Sequence, residues 1–231
     1  MRCTAIVLAA GQGKRMNSDV QKQYLQIYHH PVLYYSLKAM QDCPWMTDII
    51  LVTGENEIEF CQEMIVDRYC FDKVSTIVPG GKERYHSVMH GLLACKNTDY
   101  VFIHDGARPF VSQDILDRGL KSVLQNDACA AGMPSKDTVK IVNHNKQVQA
   151  TPVRRYVWNV QTPQVFLYSL VLESYEKALK SECNEITDDA MVVEQYGNHM
   201  VTLYEGTYEN IKITTPEDLY IAEAFMKKMN I

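Results

Sequence analysis

The stretch Thr4-Ala5-Ile6-Val7-Leu8-Ala9-Ala10-Gly11-Gln12-Gly13-Lys14-Arg15-Met16 decides how this chain is read. Its apolar start has the composition of a buried strand and empties into a small-residue turn carrying Gly11, Gly13, Lys14 and Arg15. Small residues let the backbone close in on a ligand, and exposed N–H groups beside Lys and Arg suit phosphates. Lys22 follows in Gln21-Lys22-Gln23-Tyr24. The first loop therefore reads as an anion site for a nucleotide, set at the end of a strand. The alternative is an ordinary glycine turn with solvated cations.

Two neighbouring motifs are excluded. A Walker loop needs GxxxxGK followed by Ser or Thr, and no such string occurs. The dinucleotide pattern GxGxxG fails because Met16 occupies the place of its third glycine. What stands is L-A-A-G-x-G-x-R-M followed by K-Q-Y, which resembles the signature of the sugar nucleotidyltransferases.

A chain of 231 residues is long enough for one large α/β domain with a full core. Its formal net charge of −5 argues against a general nucleic-acid binder, so the cations near Arg15 and Lys22 stand out against an acidic background. The 7 cysteines are scattered, odd in number and without a CxxC pair. That pattern predicts reduced thiols in a cytoplasmic protein and neither a disulfide framework nor a zinc site. No apolar run is long enough to span a bilayer, and the start of the chain lacks a signal-peptide layout.

Apolar runs at 5–8, 49–53, 75–78, 100–104 and 128–133 alternate with helical patterns at 32–41, 57–69, 84–95 and 114–124. Such alternation predicts parallel strands joined by right-handed crossovers. After Pro134 the rhythm changes, and about 136–161 reads as an extended, polar arm. Within it, 138–142 and 148–153 flank a turn at 143–145, giving a hairpin that projects from the sheet. Helices are expected at 167–180 and 188–195, strands at 200–204 and near 211–213, and a last helix from Pro216 to about Lys228. Thr215 is its expected N-cap, with Pro216 at the first helical position. The expected fold is α/β: a three-layer α/β/α sandwich with a Rossmann-like, mostly parallel sheet, in a single domain 1–231 with a protruding β-arm.

Further candidate sites fall at expected strand ends. Gly80 and Gly81 open Pro79-Gly80-Gly81-Lys82-Glu83-Arg84-Tyr85-His86-Ser87-Val88, where a close backbone approach suits a base or ribose and Ser87 can donate to a base edge. A plain tight turn is the alternative there. His86 and His90 share a helix face, but Ser-Val-Met between them breaks the HExxH pattern, so they read as partly buried helix residues. In His104-Asp105-Gly106-Ala107-Arg108-Pro109, Asp105 suits a hard cation such as Mg²⁺, which binds one or two carboxylates plus phosphate oxygens. Arg108 is alternatively a brace for Asp105. The arm adds Asp137, Thr138, Lys140, Arg154 and Arg155, and Lys212 sits in Glu209-Asn210-Ile211-Lys212-Ile213-Thr214.

Taken in order, LAAGQGKRM, KQY, GGKERYHSV, HDGARP, KDTVK, RRYVW with QTPQVF, ITDDA and ENIKITTPEDL resemble the 2-C-methyl-D-erythritol 4-phosphate cytidylyltransferases of the non-mevalonate isoprenoid pathway, over essentially the whole chain. The resemblance implies CTP and a polyol phosphate as substrates, pyrophosphate as product, a divalent cation, and a homodimer with arm exchange. It implies no nucleic-acid or membrane partner. Carried onto this sequence, it makes Arg15 and Lys22 the cations that stabilise the pentavalent α-phosphorus and Asp105 the metal ligand. Lys212 and Arg154 position the methylerythritol phosphate, with Arg154 and Thr138 arriving from the neighbouring subunit's arm. Gly81 and Ser87 meet cytosine, Ala10, Gly11 and Gly13 line the nucleotide phosphates, and Gly106 stands in the nucleotide-binding loop where Ala is frequent. Lys82 sits where Asp or Ser is common, and spacing to Trp158 favours Arg154 over Arg155 for the arm role.

The implied reaction is in-line attack of a substrate phosphate oxygen on the α-phosphorus of CTP. A phosphomonoester has a second pKa near ~6, so the nucleophile is already anionic at neutral pH and needs no general base. Two other readings share the nucleotide half: a cytidylyltransferase for ribitol 5-phosphate, and a non-catalytic nucleotide-binding regulator on the same fold.

Overall fold

The computed structural model describes residues 1–11, 21–181 and 186–229. An interior strand of its sheet is β1 (Cys3–Leu8), and the alternation of side chains along it explains the layering. Ala5 and Val7 point to one face of the sheet and Ile6 to the other, all fully buried. β4 (Met46–Thr53) repeats the pattern, with Ile49 and Leu51 on the first face and Ile50 and Val52 on the second. A strand covered on both sides has no polar face, which is why these segments read as continuous apolar runs.

The first face is covered by α1 (Val32–Asp42), through Leu33, Leu37 and Met40, and by α4 (Gln113–Asn126), through Ile115, Leu116 and Val123. Between β4 and the next strand of the sheet lies α2 (Ile58–Cys61), which widens into a π-helical turn at Gln62–Asp67. The helix expected over 57–69 is therefore one continuous element from Ile58 to Asp67, α-helical in its first turn and π-helical after it. The second face is covered by α3 (Arg84–Ala94), α5 (Tyr168–Lys180) and α6 (Asp189–Tyr196), which contribute Val88, Leu92, Val171, Tyr175 and Val193.

The remaining strands of the sheet are β5 (Val74–Pro79), β6 (Tyr100–Asp105), β7 (Ala128–Pro134), β10 (Trp158–Leu167) and β11 (Thr202–Glu205). The short pairs β2 (Gln26–Ile27) with β3 (His30–Pro31), and β8 (Ile141–Val142) with β9 (Val148–Ala150), lie outside it. The sheet has 7 strands in the order β11-β7-β10-β6-β1-β4-β5, and only β10 runs antiparallel to its neighbours. The three-layer, mostly parallel architecture is the expected one.

Four local expectations are corrected. β10 runs through the interior of the sheet, where the expected arm ends at about 161 and 162–166 has no expected element before the helix at 167. Pro163 has no N–H to give a ladder, and the pairing with β7 is interrupted between Val160 and Gln164 to accommodate it. The segment 211–213 is irregular chain and not a strand: Ile213 donates its N–H to the Ala107 carbonyl at 2.8 Å. Its side chain is buried in a small satellite core with Ala222 and Met226 of α7 (Pro216–Met229). The hairpin exists, but its paired strands are only Ile141–Val142 and Val148–Ala150, shorter than 138–142 and 148–153. The strand at 200–204 shifts to Thr202–Glu205. At the start of α7, Asp218 accepts the N–H groups of Thr214 and Thr215 at 2.7 and 2.8 Å, so the third residue of the helix caps the residues before it. Among the described residues no helix is long and apolar enough to cross a membrane.

Candidate active site

The register between β1 and β6 sets Leu8 opposite Asp105. Because β4 and β5 extend the sheet on one side of β1 and β6 on the other, Ala10 and Gly11 after β1 and Asp105 meet at the point where the strand order reverses. Open α/β sheets bind their ligands at such a point. A cleft of ≈ 560 Å³ opens there, within the range of small-molecule sites. Its walls come from Ala9, Ala10 and Gly11 after β1, Lys22 and Gln23, residues 81–84 and Ser87 at the start of α3, Asp105 and Ala107 after β6, and Lys212. Four cations (Lys22, Lys82, Arg84 and Lys212) face two carboxylates (Glu83 and Asp105), in a chain whose net charge is −5.

Asp105 is the electrostatic centre of this cleft. Lys212 Nζ lies 2.8 Å from its Oδ2, Arg108 Nε lies 3.6 Å from the same oxygen, and Arg84 Nε lies 3.6 Å from Oδ1. Burial works to raise the Asp105 carboxyl, but Lys212, Arg84 and Arg108 together hold it well below the usual carboxylate range. Arg108 thus braces Asp105, which also lines the cleft.

The backbone behind Asp105 is fixed by a closed ring of hydrogen bonds. The Asp105 N–H donates to Thr162 Oγ1 at 3.0 Å, and that hydroxyl lies 3.0 Å from His104 Nδ1. His104 Nε2 in turn lies 3.2 Å from the Arg108 carbonyl. Because the Arg108 carbonyl can only accept, a neutral His104 donates from Nε2, and its Nδ1 then accepts the Thr162 hydroxyl proton. Arg108 Nη1 then donates to the Asn210 carbonyl at 2.7 Å, and Asn210 Nδ2 donates to the Thr162 carbonyl at 2.9 Å. Two residues beyond Asn210 stands Lys212, so one ring positions both partners of the 2.8 Å ion pair. Burial pushes His104 down to about 4, which together with its two hydrogen bonds removes it as a proton acceptor.

On the opposite wall, Gly80 and Gly81 are required by close approach. A Cβ on Gly80 would fall 2.3 Å from the Ala10 Cβ, and one on Gly81 would fall 2.3 Å from the His86 Cβ. Ser87 is buried; its Oγ accepts the Gly81 N–H at 2.9 Å and lies 3.3 Å from the Glu83 carbonyl. The hydroxyl therefore shapes the Gly81 turn as well as lining the cleft. His86 accepts the Glu83 N–H through Nδ1 at 3.3 Å, and His90 bonds the Pro79 carbonyl at 2.8 Å, both structural uses.

Ala10, Gly11, Lys22, Gly81, Ser87, Asp105 and Lys212 are therefore brought together. Gly106 is not on the wall. Its N–H donates to the Leu8 carbonyl at 2.8 Å, its carbonyl accepts from Ser36 Oγ at 3.1 Å, and a Cβ would meet Leu33 at 2.9 Å. Thr138 and Arg154 are exposed on the arm and do not reach the cleft of their own chain. Gly13 and Arg15 lie outside the described residues.

One pair escaped the sequence reading. Arg84 donates two hydrogen bonds of 2.7 Å to Asp189, which is 0 % exposed and also accepts Tyr175 Oη. Burial works against the Arg84 charge, but Asp189 and then Asp105 outweigh it and keep the guanidinium protonated. Both residues stand inside quoted blocks, GGKERYHSV and ITDDA, yet nothing in either block says that they meet.

A family model described as 2-C-methyl-D-erythritol 4-phosphate cytidylyltransferase matches residues 3–228. A protein of that name from Lachnoclostridium phytofermentans is 48% identical over 227 residues, covering 98% of this chain and 97% of its own length. One from Clostridium botulinum is 49% identical over 227 residues, covering 98% of each. The crystal structure of 4-diphosphocytidyl-2C-methyl-D-erythritol synthase from Anaerococcus prevotii superposes with a TM-score of 0.87 at 34% identity, over 98% of this chain and 96% of that one. By its match over nearly every residue and by the cation-lined cleft at the β1–β6 junction, this chain belongs to the 2-C-methyl-D-erythritol 4-phosphate cytidylyltransferase family.

Proposed function

We propose that this chain transfers the cytidylyl group of CTP to 2-C-methyl-D-erythritol 4-phosphate in isoprenoid precursor biosynthesis, forming 4-diphosphocytidyl-2-C-methyl-D-erythritol and pyrophosphate. The observation that carries the reading is the excess of cations around Asp105 beside the glycine turn. An oxygen of the acceptor's phosphate bonds to the α-phosphorus as the bond to the β-phosphate oxygen breaks, and pyrophosphate leaves with that electron pair. The obstacle is repulsion between anions and charge growing on the transferring group. Cations preorganised in a closed cleft answer both. No proton need be removed from the nucleophile, consistent with a neutral, internally bonded His104.

Lys22 and Arg15 are assigned to the α-phosphate, Lys212 to the acceptor phosphate, and Ala10, Gly11 and Gly13 to the nucleotide phosphates. Gly81 and Ser87 form the base end. Asp105 fits a divalent cation such as Mg²⁺: it is ionised and partly screened, and its Oδ1 faces Arg84 at 3.6 Å, beyond hydrogen-bonding range. Among the described residues no cluster of three or more His, Cys, Asp or Glu stands ready to enclose a metal, so phosphate oxygens would complete the shell. Such an ion would supply further neutralisation of phosphate charge.

The working form is a homodimer exchanging arms through about 136–161. Supporting this, Val148 is 58% exposed, Val153 59% and Tyr156 72%, an apolar surface that no other described residue covers. Thr138 and Arg154 then serve the neighbouring cleft. A cytoplasmic location is in keeping with six free cysteines among the described residues.

The test is pyrophosphate release by purified protein with CTP, Mg²⁺ and either methylerythritol phosphate or ribitol 5-phosphate. Release with the first alone is expected. Release with ribitol 5-phosphate alone keeps the chemistry and overturns the acceptor, and binding of CTP with no release overturns the enzyme reading.

A further inference from the structure

The turn that carries Lys22 is held from behind by a carboxylate that does not line the cleft. Glu57 closes the single turn Glu55–Glu57 that follows β4. Its Oε2 accepts from Tyr24 Oη at 2.8 Å, from Thr53 Oγ1 at 3.2 Å and from the Gly54 N–H at 3.3 Å. Its Oε1 accepts from Gln21 Nε2. Gly54 leaves room for this, since a Cβ there would come within 2.9 Å of the Glu57 carboxylate.

Tyr24 is the second member of the hub. Its hydroxyl also lies 2.9 Å from Thr53 Oγ1 and 3.1 Å from Cys61 Sγ. Burial and then Cys61 push that hydroxyl up, so it stays protonated and donating. Gln23, 2% exposed, anchors the other side by donating Nε2 to the Ala9 carbonyl at 2.6 Å. The turn itself is closed by the Tyr24 N–H on the Gln21 carbonyl at 2.9 Å. Gln21, Gln23 and Tyr24 are thus all committed to the scaffold, and Lys22, between them, lines the cleft.

We infer that Glu57 is a positioning residue for cytidylyl transfer, fixing the turn 21–24 so that the Lys22 ammonium meets the phosphates of the bound nucleotide. This rests on the proposed function above. A carboxylate that merely caps the turn at Gly54 has no reason to bond Gln21 and Tyr24, the residues on either side of the Lys22–Gln23 pair. Misplacing a charge by an ångström costs on the order of 10²-fold in rate, and Glu57 is where this turn is held.

The experiment is a double-mutant cycle in pyrophosphate release, run at steady state with methylerythritol phosphate and CTP. It compares wild type, Glu57→Ala, Glu57→Gln, Lys22→Ala and Lys22→Ala with Glu57→Ala, each with a thermal melt. Glu57→Ala is expected to lower kcat by roughly 10–100-fold with KM for CTP changed less than about threefold. Glu57→Gln is expected to recover part of the loss, because its carboxamide oxygen still accepts from Tyr24 and Thr53 while its NH2 can no longer accept from Gln21. In the Lys22→Ala background Glu57→Ala should change kcat by less than about twofold, since its effect passes through Lys22. Equal losses in both backgrounds, or an unchanged kcat in Glu57→Ala or Lys22→Ala, overturn the inference. If Glu57→Ala does not fold, Tyr24→Phe, which removes one hydroxyl, replaces it in the same cycle under the same criteria. A wild type that releases no pyrophosphate overturns the proposed function itself; an active wild type with additive losses overturns only the role of Glu57.

Discussion

Arg84 and Asp189, 105 residues apart in the chain, form a bidentate pair with both N–O distances at 2.7 Å. The pair joins the first turn of α3 to the first turn of α6, and through Arg84 Nε it reaches Asp105 at 3.6 Å. Removing one partner of such a pair leaves the other as an uncompensated buried charge, costing about 3–5 kcal/mol. Arg84→Ala should therefore lower the unfolding free energy by about 3 kcal/mol, the lower end, because Tyr175 still donates to Asp189. Urea unfolding followed by circular dichroism measures this, and a loss under about 1 kcal/mol would show that the pair contributes little.

Lys22→Ala and Arg15→Ala test the charge stabilisation directly. Losing one preorganised donor costs roughly 10²–10³ in kcat. Both variants should show that loss with nearly unchanged CTP affinity, read by isothermal titration beside steady-state kinetics. Weakened CTP binding with normal turnover would mean that these cations hold the ground state only.

The parts of this molecule that were legible in advance share one property: their signal is local. Ala5, Ile6 and Val7 announce a strand buried on both faces, and Asp105 announces itself by ending an apolar run before small residues. Arg84 and Asp189 carry no local sign of each other, since their meeting depends on how α3 and α6 pack. Glu57 looks like any helix-start acid until Tyr24 and Gln21 are folded against it. β10 was hidden by Pro163, whose presence argues against a central strand unless an interruption absorbs it. The opposite error arose at Ile213, where apolar character came from the satellite core beneath α7 and not from a sheet.

His104 gives a pH dependence that can be assigned to one group. Its ordinary value of 6.5 is pulled down to about 4 by burial, so the folded state holds it neutral where the unfolded chain would protonate it. The unfolded state then binds more protons between these two values, and stability falls as pH drops through them. The contribution is complete above about 6.5, is lost progressively towards about 4, and amounts to about 3 kcal/mol. Asp105, held below the carboxylate range by Lys212 and the two arginines, adds a further loss at more acidic pH. His104→Gln keeps a donor towards the Arg108 carbonyl and removes the titration. Chemical unfolding at half-unit steps from pH 7 to 4 should show a shallower slope for the variant than for wild type, and parallel curves would remove His104 as the source.

The last prediction concerns where each cleft obtains its arm residues. Lys22 lines the cleft of its own chain, while Arg154 is exposed and its Nη1 donates to the Lys136 carbonyl at 3.4 Å. If Arg154 completes the neighbouring cleft, Arg154→Ala and Lys22→Ala homodimers are each defective at both sites. A mixed dimer of the two carries one cleft with Lys22 and Arg154 both intact and one lacking both. Random reassortment of equal amounts makes half the dimers mixed, so activity should return to about a quarter of wild type. The measurement is pyrophosphate release after the two variants are unfolded together and refolded, with subunit exchange verified by native mass spectrometry. Recovery to that level identifies a cleft built from two chains, whereas mixed dimers no more active than their parents would favour a site built within one chain.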